Sequence, residues 1–448
     1  MNVRKLTLAI GVLLLAALAC SNPFSSATPT TDQAALDTVV AATLTASAGG
    51  GEMETGDTPE VPTPTATDSP PLLRIVYIDN GEVWLWTEGS GAAQLTSSGG
   101  LADEVIISDD GDVVVYKRNI AYGDDELWAV NSDGTSDRLL VSLADFDAMS
   151  NHPDSVSTTV YAFDWVPGTH TVAFNTREIF EGPGLILNDD LRLVDADSLM
   201  QSTLLSPGDG GAFTYSPDGS QIALVTSTDV SFVDADGSNR RDAVLTFPII
   251  FTYSEYNYYP TPFWLPDSSG LRIAIPSEAQ LDAGATTTLW HLPVSGAAPT
   301  ALWTFSPAPF FVDPVTFSPD TLSVAYIVQV GPLTDNTYEL HIASPDGSGD
   351  TIYHTAPLAN FTSWNPDSTD FVFSFGEPTN KKLGQVGSGF IPLTDTANAD
   401  QVVWIDATRF LFTTGSIGAW ELRLRQLGAP SVLIASPVGD FVSFDFTK

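Results

Sequence analysis

The chain has 448 residues, with 17 Lys and Arg against 55 Asp and Glu, and a formal net charge of −38. That charge repels nucleic-acid backbones and anionic membrane surfaces, so it argues against a polyanionic partner and favours solubility outside the cell. A single cysteine excludes an intrachain disulfide framework, and 16% charged with 10% aromatic residues describes a sheet-rich chain rather than a disordered one.

Arg4 and Lys5 precede an apolar run at 6–19 that is too short for an ordinary transmembrane helix. The run ends in Ala17-Leu18-Ala19-Cys20. This resembles a bacterial lipoprotein signal, which implies a signal peptide over 1–19 and lipidation of Cys20; cleavage as a plain secretory signal is the other reading. Residues 20–71 read as a tether, because 21–31 and 49–71 are rich in Ser, Thr, Pro, Gly and Asp and offer little apolar surface to bury. Within it, 32–48 is either a short helix, with Asp32 as N-cap and Leu36, Val39, Val40 and Leu44 on one side, or a fraying Ala/Thr segment.

From Leu72 onward, turn residues recur. The stretch 213–239 carries the pattern most fully: Ser216-Pro217-Asp218-Gly219 and Asp234-Ala235-Asp236-Gly237 are tight turns, and Ile222 to Val225 and Val230 to Val233 are short β-branched runs between them. Equivalent prolines stand at Pro167, Pro217, Pro266, Pro319 and Pro366, spaced by 47 to 53 residues, with Asp109 at the matching place in the first repeat. A period of that size indicates a propeller or solenoid, and the short strands exclude a helical solenoid. Two residues before each anchor stands a large side chain: Ile107, Trp165, Tyr215, Trp264, Phe317, Trp364 and Trp404. A ring at one fixed strand position is what packing between adjacent sheets requires.

Ser-Pro-Asp-Gly followed by Ile222-Ala223 and later by Asp234-x-Asp236-Gly237 resembles the WD40-like repeats of TolB-like propellers. The resemblance covers 72–448 and implies an all-β fold whose members serve unrelated functions. Seven anchors begin seven blades, the runs at 74–78, 82–87 and 92–95 are left over in front, and 440–446 is left over behind, with Phe444 at the aromatic position. Together they predict a β-propeller of eight four-stranded blades, with a composite blade made from both ends that closes the ring. Seven blades is the alternative if 381–393, a poor strand sequence, is an insertion.

The a–b and most c–d turns are tight, whereas the b–c and d–a connections are predicted to be long at 119–125, 145–159, 178–190, 247–260, 277–285, 305–313 and 329–337. All of these leave one face, where binding residues are expected. Its richest segment is 247–264, in which Phe251, Tyr253, Tyr256, Tyr258 and Tyr259 are candidate contacts; packing onto their own blade is the competing reading. No Gly-x-Ser-x-Gly elbow, His-Glu-x-x-His motif or Cys pair occurs, so no catalytic residue, metal site or cofactor is predicted. His152 and His354 are the histidines free to meet other groups in three dimensions, as in propeller lyases. Asp234-x-Asp236-Gly237 resembles the start of a calcium loop, but its twelfth position is Leu245 where Glu is needed. The expectation is a lipid-anchored protein of the cell surface or periplasm that binds an envelope protein, peptide or glycan and is not an enzyme. A propeller lyase or hydrolase and a purely structural envelope protein are the alternatives.

Overall fold

The computed structural model describes residues 72–448 except 182–184, 251–256, 281, 283, 309–314, 377–379 and 397–398. Cys20, the segment 32–48, Phe251, Tyr253 and Tyr256 lie outside the described residues.

Turn chemistry sets the blades. In the turn after the strand Ala212–Tyr215, the Ser216 hydroxyl donates to the Asp218 carboxylate at 2.6 Å and accepts from the Gln221 N–H at 3.0 Å, while Gly219 supplies φ 69°. Ser108 and Ser318 repeat this, and all three serines are buried. Where the left-handed residue is not glycine, two positions show a compensation: Ser268 and Ser368, with φ 59° and 61°, each accept a backbone N–H from the preceding blade's turn, from Asp218 and Asp320 respectively. The strain of a positive φ is offset by a bond that ties two blades together.

The result is a β-propeller with eight blades, each built on four antiparallel strands. Blade 1 is Arg74–Asp79, Glu82–Thr87 and Gly91–Gln94 with Phe444–Thr447 as its innermost strand. Blades 2 to 8 begin at Ala102–Ile107, Ser157–Trp165, Ala212–Tyr215, Pro262–Trp264, Val315–Phe317, Asn360–Trp364 and Val402–Trp404. Blade 3 carries an additional strand, Leu185–Leu187, beside Thr171–Ile179. In blade 7 the strands Asn380–Gln385 and Phe390–Pro392 occupy the region that reads poorly in sequence, so that region is a pair of blade strands rather than an insertion.

Hydrophobic cores lie between neighbouring blades. Val115, Leu127 and Leu140 of blade 2 pack with Val160, Trp165, Val172 and Phe174 of blade 3. Each such side chain fully buried contributes about 1.5–3 kcal/mol. The aromatic position adds direction to this packing. Trp264, Trp364 and Trp404 donate their indole N–H to the inner strand of the preceding blade, to the carbonyls of Thr214 and Thr316 and the hydroxyl of Ser363 at 3.2–3.3 Å. Trp165 is about as buried as Trp364 and Trp404, but its Nε1 has no partner among the described residues.

The ring closes as the leftover strands predict. Phe446 pairs with Ile75 and Phe444 with Tyr77. The closing strand also reaches both flanking blades: the Ile107 N–H donates to Asp445 at 2.9 Å, the Val105 N–H to Ser443 Oγ at 3.1 Å, and Lys448 Nζ to the Ile405 carbonyl at 2.5 Å.

Candidate binding face

Strand direction alternates within a blade, so a–b and c–d turns leave one face and b–c and d–a connections the other. The second face is the more elaborate. It carries the helix Leu143–Ala148, capped reciprocally by Ser142 and Asp145, and the strand Leu185–Leu187. Residues 119–125 depart from the expected loop. The strands Val113–Ala121 and Asp124–Asn131 continue through this stretch to a two-residue turn, Tyr122-Gly123, in which Gly123 takes φ 81°. Its flanking residues stay paired because Asn119 donates to the buried Asp125 carboxylate at 2.9 Å, and Thr159 of blade 3 holds the other oxygen at 2.6 Å.

Of the five candidate aromatic contacts, Tyr258 and Tyr259 are described, and both are half-buried. Tyr258 packs against the core between blades 4 and 5, and with Phe263 and Val315 it lines a cavity of about 10 Å³, room for no more than a water. Tyr259 donates its hydroxyl to Asp189, at 3.2 Å, on the b–c connection of blade 3. Burial pushes the Asp189 carboxyl up to about 6 against the opposing effect of that hydrogen bond. The contact spans 70 residues, and nothing in the sequence signals it.

Beside this segment is a groove of about 280 Å³, lined by Phe247, Pro248, Ile275 and Trp290 with hydroxyls from Thr246, Ser277, Thr286 and Thr288. Among the described residues no charged side chain lines it. Rings and hydroxyls without charge suit stacking and hydrogen bonding to a neutral ligand.

The histidines are dispersed. His152 lies edge-on to Phe180 at 5.0 Å between centroids, and His354 sits among Phe373, Phe375 and Phe390 in blades 6 and 7. Burial and the neighbouring Lys382 hold the His354 pKa below the usual value. His341 contacts Tyr326, Asp350 and Glu339 within blade 6, and His170 joins Asp110 of blade 2 to Asp197 of blade 3 at 3.0 and 2.9 Å. These contacts hold turns and strands together. Among the described residues no group of three or more His, Cys, Asp or Glu is placed to hold a metal ion. No helix of the described residues is long and apolar enough to cross a membrane.

No protein-family model and no curated protein matches the chain. Among solved structures, an oligogalacturonate lyase in complex with manganese is 14% identical with a TM-score of 0.44, over 70% of this chain and 83% of that one. The β-propeller domain of the Trilobed protease from Pyrococcus furiosus is 13% identical with a TM-score of 0.44, over 63% and 84%. TolB from Acinetobacter baumannii is 14% identical with a TM-score of 0.30, over 61% of each chain. Likeness at this level bears on neither chemistry nor partner. The eight blades rest on the sheet pairings themselves.

Proposed function

We propose that the protein is a membrane-tethered, extracytoplasmic propeller that binds a protein, peptide or glycan without catalysing a reaction on it, through the face that carries the long connections. The uncharged groove between Phe247 and Trp290 carries this reading. A site that offers flat apolar surface and hydroxyls in a chain of net charge −38 selects for stacking and hydrogen bonding rather than for charge. Phe251, Tyr253, Tyr256, Tyr258 and Tyr259, on the segment that borders the groove, are the proposed contacts. Cys20 is the proposed lipid anchor, and 20–71 the tether between membrane and ring.

The test is binding of the full-length protein to arrays of neutral glycans and peptides, followed by tryptophan fluorescence. Trp290→Ala, at a half-buried position, should abolish capture of the probe that wild type binds while the protein remains folded by circular dichroism. Undiminished capture by a folded Trp290→Ala protein removes the groove as the site. Chemical turnover of a bound probe replaces the binding reading with an enzymatic one. For the anchor, Cys20→Ser should leave the protein unprocessed or release it from the membrane fraction; unchanged processing and retention rule Cys20 out.

A further inference from the structure

The groove between Phe247 and Trp290 is built from side chains that strand register places on one sheet face. In blade 5, Thr286, Thr288 and Trp290 alternate along the strand Thr287–Pro293 and the residue before it. Ile273, Ile275 and Ser277 alternate along Gly270–Pro276 and the residue after it. Ile273 pairs with Trp290 and Ile275 with Thr288, and the Ser277 N–H donates to the Thr286 carbonyl at 2.7 Å, so the two rows lie side by side. Ile273, Ile275 and Trp290 pack with Val230, Leu245 and Phe247 from blade 4, which fixes the side of the sheet they face. The row from Thr286 to Trp290 is about 13 Å long.

Main-chain donors along this groove are largely spent. The Phe247 N–H donates to the Thr228 carbonyl at 2.8 Å and the Thr286 N–H to Ser277 Oγ at 3.2 Å, while Pro248 and Pro276 have no N–H. Trp290 is paired on both sides, with Ile273 and with Ala301. A peptide that docks by adding a strand needs open N–H and C=O groups, and few are offered here. Side-chain groups are what remains. Trp290 Nε1 and the Thr286 hydroxyl have no hydrogen-bond partner among the described residues. Ser277 Oγ keeps its O–H to donate, and the Thr288 hydroxyl shares one bond with Thr304 at 2.9 Å.

A ligand that covers these groups must both donate and accept hydrogen bonds, and it must bring no charge. A carboxylate or an ammonium group would lose its hydration against a lining without a counter-charge. Sugar hydroxyls donate and accept as Ser and Thr hydroxyls do, and the C–H face of a pyranose ring is an apolar surface that an indole can cover. The groove, about 280 Å³, is smaller than the about 300–1,000 Å³ of clefts that enclose a drug-sized ligand, so it holds a short stretch of a chain. We propose that this stretch belongs to a neutral glycan, with one pyranose ring against Trp290 and hydroxyls bonded by Thr286 and Ser277. The proposal rests on the reading of this groove as the binding site.

The probes are an array of neutral gluco-, manno-, xylo- and galacto-oligosaccharides, with oligogalacturonate and chitosan oligosaccharides as charged counterparts, and a peptide array beside them. The full-length protein should capture one or more neutral glycans and neither charged class. Trp290→Ala should abolish that capture. Thr286→Val keeps the shape of the side chain and removes only the hydroxyl, so it should weaken binding about twofold to tenfold in a protein that melts as wild type does. Affinity should stay constant as salt rises from about 0.05 to about 0.5 M. Capture of no glycan, preferential capture of a charged one, or binding that falls with salt overturns the proposal. Capture of peptides alone, lost in Trp290→Ala, also overturns it but leaves the groove as the binding site. Neutral glycans bound undiminished by folded Trp290→Ala and Thr286→Val proteins overturn both the proposal and the groove.

Discussion

Trp364 and Trp165 occupy the same position in their blades and are almost equally buried, at 6% and 7% exposure. They differ in one bond. Trp364 donates to the Thr316 carbonyl of the preceding blade, while Trp165 Nε1 meets no acceptor among the described residues. An intramolecular hydrogen bond contributes about 0.5–1.5 kcal/mol net, and an unmet buried donor costs a similar amount or more. Replacing either ring with Phe removes similar apolar area, so the bond is isolated in the difference between the two variants. Trp364→Phe should therefore destabilise the protein more than Trp165→Phe by about 1–2 kcal/mol, read from urea denaturation. Equal losses would mean that the indole bond contributes nothing beyond packing.

At the scale of the strand, Phe444–Thr447 is short, yet it touches three blades. It pairs with Arg74–Tyr77, receives the Ile107 N–H of blade 2 on Asp445, and donates from Thr447 to the Asp109 carbonyl at 2.6 Å. It also packs Phe444 and Phe446 into the core that holds Leu411 and Leu422 of blade 8. Truncation after Gly439 should leave blade 1 with three strands, remove Phe444 and Phe446 and expose Ile75 and Tyr77. Loss of one large buried ring alone costs about 3–5 kcal/mol, a large share of a typical stability of about 5–15 kcal/mol. The truncated protein should aggregate or melt far below wild type, and unchanged thermal unfolding would show that the closing strand is dispensable. This strand was legible in the sequence, as were the anchors, because turn residues reflect φ requirements that act locally. Ser216, Asp218 and Gly219 each satisfy a neighbour no more than five residues away. Other elements were not legible. Residues 119–125 read as a loop because Asn119 and Asp125 are turn formers, and the long-range bond from Thr159 that keeps them in a hairpin leaves no local trace. The same limit hides the Tyr259–Asp189 contact.

For the molecule as a whole, acidity is the governing variable. Burial pushes the carboxyls of Asp103, Asp189 and Asp445 up to about 6, with Asp164 and Asp109 adding to the effect at Asp445. In the unfolded chain these groups ionise near the ordinary aspartate value of 3.8. Their contribution to stability is therefore complete below about pH 4 and is lost as pH rises through about 6. Burial of the His170 ring opposes its charge, but Asp197 and Asp110 on either side prevail and hold its pKa above the usual value. Its contribution is present below about pH 6.5 and falls away as pH rises past the folded value. Carboxylates held low, such as Asp406 at about 2 through its bonds to Arg409 and Thr408 despite burial, act in the opposite sense and are lost only in strong acid. The melting temperature should accordingly be a few degrees higher near pH 5 than near pH 7.5, and Asp445→Asn should narrow that difference. A melting temperature that is flat or rising over this interval would contradict the assignment.

The composite blade also has a consequence in time. Arg74–Asp79 and its inner neighbour Phe444–Thr447 are separated by about 365 residues of chain. At a synthesis rate of about 5–20 residues per second, the first blade waits roughly 20–70 s for its last strand. Throughout that interval Arg74–Asp79 presents an unpaired edge able to template the wrong partner. Seven blades can stack in order as they emerge, each on the one before it, but the seam cannot be sealed until the final segment arrives. The slow and vulnerable step of folding is thus the meeting of the first strand with the last, and a chaperone that shields the edge of blade 1 should raise the yield of folded protein more than one that acts on any later blade.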